Sequence, residues 1–261
     1  MKREETILEA LDAAMADIAP GAAILFSGGV DSGILATVAR RHWRPMLYTV
    51  GVEGSPDLIA SEEAAECLNL PWTPMIIDAS EVERQALALL DMVPPDDPVT
   101  LSFELPLKIV ASQVREDTLI TGQGADELFA GYSRYLIMGP EELESALVSD
   151  LEKVLEHAAP LERRIAAHHG KQVFHPFLDP RVIQAARSIP SNELIVQGTR
   201  KAPLRHAAAE IGVGPPTWRE KKAAQYGSGI MNTLRSLARR RSLTLREYLE
   251  ELAAGKERYA N

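Results

Sequence analysis

The sequence is poor in several things that would each define a class of protein. It has a single cysteine, Cys67, among 261 residues, which excludes a disulfide framework, a paired-cysteine redox motif and a cysteine-rich zinc site. It has no apolar run of the ~18 residues that a membrane-spanning helix needs. Its first twenty residues carry charges between the apolar positions, so no continuous signal-peptide core is present. It has no basic excess: 28 Lys and Arg stand against 37 Asp and Glu, a net charge of −9. That balance argues against a general nucleic-acid coat. A soluble cytoplasmic protein is expected, with enough chain for one large domain or two small ones.

The charge is unevenly placed. Residues 1–139 hold 9 basic and 22 acidic side chains (−13), and residues 140–261 hold 19 and 15 (+4). Such a split fits two halves that meet over a charged ligand. The first half reads as alternating helices and short apolar strands. Helices are expected over 3–18, 31–41, 55–69, 78–91 and 100–115. Strands are expected over 22–26, 46–50, 74–77 and 118–121, and 93–98 is the most loop-like segment. Alternation of this kind signals a parallel sheet with right-handed crossovers. Beyond residue 124 the pattern is almost wholly helical: 125–138, 141–157, 160–168, 180–188, 200–211 and 229–253. The fold class is therefore α/β, a parallel sheet with flanking helices and an additional, mostly helical C-terminal layer. Cys67, mid-helix in Ala65-Glu66-Cys67-Leu68, is expected to be a buried apolar thiol.

Ser27-Gly28-Gly29-Val30-Asp31-Ser32 lies between the first strand and its helix. Two glycines let backbone amides approach an anion without a Cβ in the way. The helix N-terminus adds unsatisfied N–H groups and a positive dipole end. No lysine follows the glycines, so this is not the G-x-x-x-x-G-K-[ST] loop, nor is it G-x-G-x-x-G. A bare strand-to-helix turn with Asp31 as helix cap is the plainer alternative.

These residues resemble the pyrophosphate-binding loop of the PP-loop ATP pyrophosphatase superfamily. Thr121-Gly122-Gln123-Gly124-Ala125-Asp126-Glu127-Leu128-Phe129-Ala130-Gly131-Tyr132 is similar to the SGEGSDExFGGY segment of asparagine synthetases. Val50 to Leu58, Pro176-Phe177-Leu178-Asp179, Lys201 to Arg205 and Trp218-Arg219-Glu220-Lys221 resemble further segments of that family, in family order. The resemblance is to the synthetase half of asparagine synthetases and of the related β-lactam synthetases, over residues 24 to about 229. It implies an adenine nucleotide alpha hydrolase-like fold in one synthetase unit over 1–261, with a nucleotide-binding core (1–139) and a helical part that completes the site (140–261).

The resemblance also implies a chemistry. ATP would be cleaved to AMP and pyrophosphate, the AMP passing to a small-molecule carboxylate that then takes ammonia or an amine. Asp31 and Asp126 would hold Mg2+, each after a glycine turn at a strand end. Leu25, Ser27, Gly28, Gly29, Asp31, Ser32, Val50, Gly51 and Gly122 would bind ATP and its pyrophosphate. Lys201 and Lys221 would face the phosphates and, with Asp126 and Gln123, make up the catalytic set. Gln123 departs from the family glutamate and cannot act as a base, leaving water, Glu104 or Glu127 for that task. Phe174-His175 stand where an arginine usually precedes the PFLD segment, which weakens aspartate as the carboxylate. His175 and His206 are candidates to line the cleft, whereas His168-His169 are expected to diverge on a helix as a solvated pair. Glutamine-dependent members begin with a glutaminase domain whose cysteine follows the initiator Met. Lys2 follows Met1 here, so free ammonia, an amine or a separate glutaminase subunit is the expected nitrogen source. No membrane partner is expected, nucleic acid is disfavoured, and a homo-oligomer is open. Two other readings exist: a PP-loop enzyme modifying tRNA, supported by the basic run Arg239-Arg240-Arg241, and a non-catalytic nucleotide-binding subunit, supported by Gln123.

Overall fold

The computed structural model describes residues 3–214 and 227–259. Five short strands, β1 (Ala23–Leu25), β2 (Leu47–Gly51), β3 (Trp72–Ile76), β4 (Thr118–Ile120) and β5 (Gln172–Phe174), form one sheet in the order β3-β2-β1-β4-β5. Every pairing is parallel: Ile24 lies opposite Leu47 on one side and Ile120 on the other, and Leu119 opposite Val173. Successive residues of a strand face opposite sides. Ile24, Leu47 and Ile120 enter one apolar core, and Ala23, Leu119 and Val173 the other. A sheet buried on both faces needs helices on both. The first core is closed by α1 (Arg3–Ala16), α2 (Val30–Ala39), α3 (Pro56–Leu68), α9 (Pro180–Arg187) and α11 (Ala202–Glu210). The second is closed by α4 (Ala79–Leu89), α5 (Pro98–Gln113), α8 (Ala159–His168), α12 (Ile230–Arg240) and α13 (Leu245–Tyr259). β2 and β3 lie on one side of β1, and β4 with β5 on the other, so the strand order reverses between β1 and β4. In open α/β sheets, ligands bind at the carboxyl ends of the strands beside such a reversal.

The region expected to be helical supplies one strand of the main sheet, β5, besides a two-residue hairpin described below. Three residues with only Val173 buried, between exposed Gln172 and Phe174, are too short for a periodic signal. Its C-terminal helices divide between the two faces instead of forming one layer. Two expected helices, 125–138 and 229–253, are broken, and two expected as separate, 141–157 and 160–168, run on as one. The 125–138 segment keeps one turn, α6 (Ala125–Leu128), because Ala130 takes a left-handed φ of 53°, and a 3-10 turn follows over Ser133–Ile137. The helix from 141 is α7 (Pro140–Lys153), which passes through a π turn (Val154–Ala158) into α8, with Pro160 in that helix's first turn. Pro160 has no N–H to give the continuing ladder. The 229–253 segment is α12 and α13, parted at Ser242 (φ 59°). Thr244 and Glu247 cap α13 reciprocally: the Thr244 N–H donates to Glu247 Oε2 at 2.8 Å and the Glu247 N–H to Thr244 Oγ1 at 3.3 Å. This is the S/T-x-x-E capping box, legible in Thr244-Leu245-Arg246-Glu247.

Cys67 is exposed, not buried, because α3 turns Ala64, Ala65 and Leu68 to the core and leaves position 67 outside. His168 and His169 do not diverge: their rings pack edge to face, centroids 5.0 Å apart. Arg241 of the basic run pairs with Glu83 at 2.8 Å and Arg246 with Glu250 at 2.9 Å. Among the described residues, no helix is long and apolar enough to cross a membrane.

Phe129 after α6 and Phe177 before α9 meet edge to face with centroids 6.2 Å apart, both fully buried. This contact ties the segment after β4 to the segment after β5. Phe129→Ala should cost about 3–5 kcal/mol of stability, read as a lower urea midpoint with an unchanged m-value.

Candidate active site

Two turns flank the reversal between β1 and β4. After β1 the chain passes through Ser27, Gly28 and Gly29 into α2, whose cap residue is Gly29; Asp31 sits in the first turn and does not cap it. Gly28 has φ +69°, and a Cβ there would lie 2.5 Å from the Ala60 carbonyl carbon of α3. Only glycine tolerates both the left-handed backbone and that approach. Ser32 Oγ accepts from the Ser27 N–H (3.3 Å), donates to the Gly29 carbonyl (3.2 Å) and lies 3.4 Å from Ser27 Oγ. The two hydroxyls thus hold the loop closed beneath the helix N-terminus.

After β4 the chain turns through Gly122, half-buried Gln123 and Gly124 into α6, where Asp126 lies in the first turn. A Cβ on Gly122 would lie 3.5 Å from Asp31 Cβ, so the two turns are in contact. Gly124 (φ +94°) could carry no Cβ, because Leu178 Cδ2 would lie 2.3 Å from it.

Lys201 joins the two turns. Its Nζ is 2.7 Å from Asp31 Oδ2 and 2.7 Å from Asp126 Oδ1. The ammonium reaches this position from a two-residue hairpin. Strands β6 (Ile195–Val196) and β7 (Thr199–Arg200) are joined by Gln197 and Gly198, both with positive φ (51° and 77°), the signature of a type I′ turn. Lys201 then takes a left-handed φ of 56° before α11 starts. Gly131 is part of the same junction. A Cβ on it would overlap Asp126 Oδ1 (1.7 Å) and Lys201 Cε (2.2 Å), and its carbonyl accepts from Arg200 Nη1 at 2.5 Å.

Burial alone would lower the Lys201 pKa, but Asp126 and Asp31 outweigh it and hold the group at about 12. Asp31 Oδ1 is buried and has no hydrogen-bond partner. Two carboxylates that already share one cation, one with an unused buried oxygen, are hard-oxygen donors of the kind Mg2+ takes together with phosphate oxygens. Among the described residues, no cluster of three or more His, Cys, Asp or Glu could hold a metal by itself. A divalent ion here would therefore need ligand oxygens as well.

At the ends of β1 and β2 lie Leu25, Val50 and Gly51. The loop after β2 is covered by residues 227–229: the Val52 N–H donates to the Ser228 carbonyl at 2.9 Å, and a Cβ on Gly229 would lie 3.3 Å from Val52 Cβ. The structure thus brings Leu25, Ser27, Gly28, Gly29, Asp31, Ser32, Val50, Gly51, Gly122, Gln123, Asp126 and Lys201 to one edge of the sheet. Lys221, with the whole Trp218–Lys221 motif, lies outside the described residues.

The two alternative acids are both buried. Burial raises the Glu127 pKa, and the Tyr132 hydroxyl donates to one of its oxygens. Burial, then the charge of Glu162, raises the Glu104 pKa well above the ordinary carboxylate value. His206 is exposed. His175 is buried and makes a 2.8 Å contact through Nε2 with Glu162 Oε2. Sequence reasoning passed over Glu162 and the role of Gly131. Nothing in the sequence around Glu162 marks it, whereas Gly131 stood inside a recognised motif.

The family model for asparagine synthase matches residues 3–138 and 136–256. The chain belongs to the asparagine synthase family. A putative glutamine-hydrolyzing asparagine synthetase of Methanocaldococcus jannaschii is 30% identical over 271 aligned residues, covering 88% of this chain and 50% of the relative. The glutamine-hydrolyzing asparagine synthetase of Gallus gallus is 27% identical, covering 81% of this chain and 40% of the relative. Asparagine synthetase domain-containing protein 1 of Gallus gallus is 36% identical over 49% of this chain and 20% of its own length. The chain thus spans half or less of the length of these curated relatives. Among solved structures, the predicted subunit of a tRNA methyltransferase from Methanocaldococcus jannaschii aligns over 81% of this chain and 96% of that chain. The two share 18% identity with a TM-score of 0.37.

Lys201 also sets a pH dependence. A lysine whose folded pKa exceeds its unfolded value of ~10.4 stabilises the fold fully below that value and ceases to do so as pH rises through the folded pKa, here about 12. Lys201→Met leaves two facing carboxylates without their cation and should cost about 3 kcal/mol at pH 8. The gap in unfolding free energy between wild type and variant should narrow as the pH climbs above ~10.4, which urea titrations at several pH values would check.

Proposed function

We propose that this chain is an ATP-dependent amide-forming ligase. It adenylates a small-molecule carboxylate, releasing pyrophosphate, and transfers ammonia or an amine to the acyl group. One observation carries the reading. Two carboxylates and a buried lysine from three distant segments meet beside a glycine loop, at the strand ends where the sheet order reverses.

The roles follow from charge. The Gly28–Gly29 backbone and the α2 N-terminus suit the pyrophosphate end of ATP. Asp31 and Asp126 would hold Mg2+, which when bound offsets charge on the phosphate oxygens and the leaving pyrophosphate. Lys201 keeps its proton throughout the physiological range and adds fixed positive charge at the same place. Lys221 belongs to the same set by resemblance. The backbone at Leu25, Val50 and Gly51 suits adenine, with residues 227–229 against the following loop. In this reading the protein acts in the cytoplasm, and its nitrogen comes as free ammonia, an amine, or ammonia from a separate glutaminase subunit.

The reading is tested by carboxylate-dependent exchange of pyrophosphate into ATP, assayed with Mg2+ and a panel of small carboxylates. Pyrophosphate, not orthophosphate, should be the phosphorus product. Asp126→Ala should reduce exchange by at least about 100-fold, in line with loss of a preorganised electrostatic contact. Release of ADP and orthophosphate, or an Asp126→Ala protein within a few-fold of wild type, would refute it.

A further inference from the structure

A divalent cation and the Lys201 ammonium would seek the same oxygens. The ammonium holds Asp31 Oδ2 and Asp126 Oδ1, each at 2.7 Å. The other Asp31 oxygen, Oδ1, is buried. An ion arriving in its hydration shell therefore meets the Asp31 carboxylate at the oxygen that already carries a cation. Mg2+ sits about 2.1 Å from a carboxylate oxygen, so on Asp31 Oδ2 it would stand less than about 5 Å from Nζ. Two positive centres that close repel strongly where burial weakens screening. Two carboxylates sharing one ammonium also keep only one uncompensated negative charge. That is little with which to strip water from an ion that dehydrates reluctantly.

Lys201 is also held where it stands. Its Cε packs so closely on Gly131 that a Cβ there would lie 2.2 Å away. Its carbonyl accepts from the Arg205 N–H at 2.9 Å, and Arg205 Nε donates to the Arg200 carbonyl at 3.0 Å. Arg200 Nη1 in turn donates to the Gly131 carbonyl at 2.5 Å. Backbone and stem are thus fixed on both sides, and the ammonium has no free swing away from the acids. Only an added source of negative charge reverses the balance. The phosphates of ATP bring several charges and further oxygen ligands at once. Among the described residues, no third acid, histidine or cysteine stands ready to do the same.

We propose that Lys201 reserves Asp31 and Asp126 for a metal–nucleotide complex: its ammonium keeps a free divalent cation off the pair, and the metal binds only together with the phosphates. This deepens the ligase reading and rests on its assignment of the two acids to Mg2+. The lysine then has two tasks at one position. Before ATP arrives it neutralises most of the charge of the acids and holds the turns after β1 and β4 together. With ATP bound, the same ammonium faces an excess of negative charge and becomes part of the cationic surround of the phosphates.

The test is a titration of the full chain with Mn2+, followed by electron paramagnetic resonance, with and without α,β-methylene-ATP. Without nucleotide, wild type should bind Mn2+ no more tightly than about 1 mM. Lys201→Met should gain a single site at least about 10-fold tighter, because a positive charge beside the ion is gone. The double variant Lys201→Met/Asp126→Asn should lose that gain. A lysine serving only the fold would give the opposite result, since loosening the acids weakens a metal site. With the ATP analogue, wild type should bind the metal and the nucleotide together, one of each per chain. The wild-type titrations need no variant to fold. Nucleotide-free wild type binding one Mn2+ more tightly than about 1 mM at a site lost in Asp126→Asn would overturn the proposal. So would a gain below about 10-fold in folded Lys201→Met. Absence of pyrophosphate exchange with every carboxylate would refute the ligase reading instead, and the nucleotide-free titrations would still decide what Lys201 does.

Discussion

The junction of Lys201 with Asp31 and Asp126 is the interaction on which the rest of the site depends. One buried ammonium is shared by carboxylates from the turns after β1 and β4. Removing a charge from water costs several kcal/mol, and only close opposite charges offset it. The junction therefore holds only if three segments, separated by some 170 residues of chain, stand in one arrangement. Several backbone features serve that arrangement. They include the left-handed φ of Lys201, the tight hairpin before it and the missing Cβ of Gly131. Each would be a local cost without the junction, and each disappears as a puzzle once the ion trio is in view.

The sheet explains why the trio sits where it does. Parallel strands place all their carboxyl ends on one edge, and the order reversal leaves an opening between β1 and β4. Gly28 lets the first turn approach α3 closely at that opening, and Gly122 places the second turn beside Asp31. The charge asymmetry acquires a structural meaning here. The acidic first half contributes both carboxylates and the basic second half the lysine, so the halves are joined by a specific attraction and not only by apolar packing. They also share the sheet itself, since β5 comes from the second half.

Much of this was legible in the sequence. Four strands, the glycine loop, the second glycine turn and Lys201 were all expected, because each leaves a local mark: a short apolar run, a pair of glycines, a motif at a fixed spacing. The misreadings share a cause. Residue patterns cannot show where a helix ends when the breaker is an ordinary residue in a left-handed conformation, as at Ala130 and Ser242. They also cannot show an edge strand of three residues, and they misplaced Cys67 because helix rotation is fixed by packing. The capping box at Thr244 was a signal present and overlooked.

The sequence by itself determined the chemical inventory and the fold class. It supplied a glycine loop after a buried strand, acids after glycine turns and an alternation of elements that a parallel sheet satisfies. These are local properties, carried by neighbours in the chain. Only the tertiary structure decided which charges meet. It placed one lysine between two acids, turned Glu127 inward against Tyr132, and set Glu162, a residue without any sequence mark, behind His175. These contacts join residues from 5 to 170 positions apart. The long-range ones are fixed by packing helices on both faces of the sheet, so no reading of neighbours along the chain contains them.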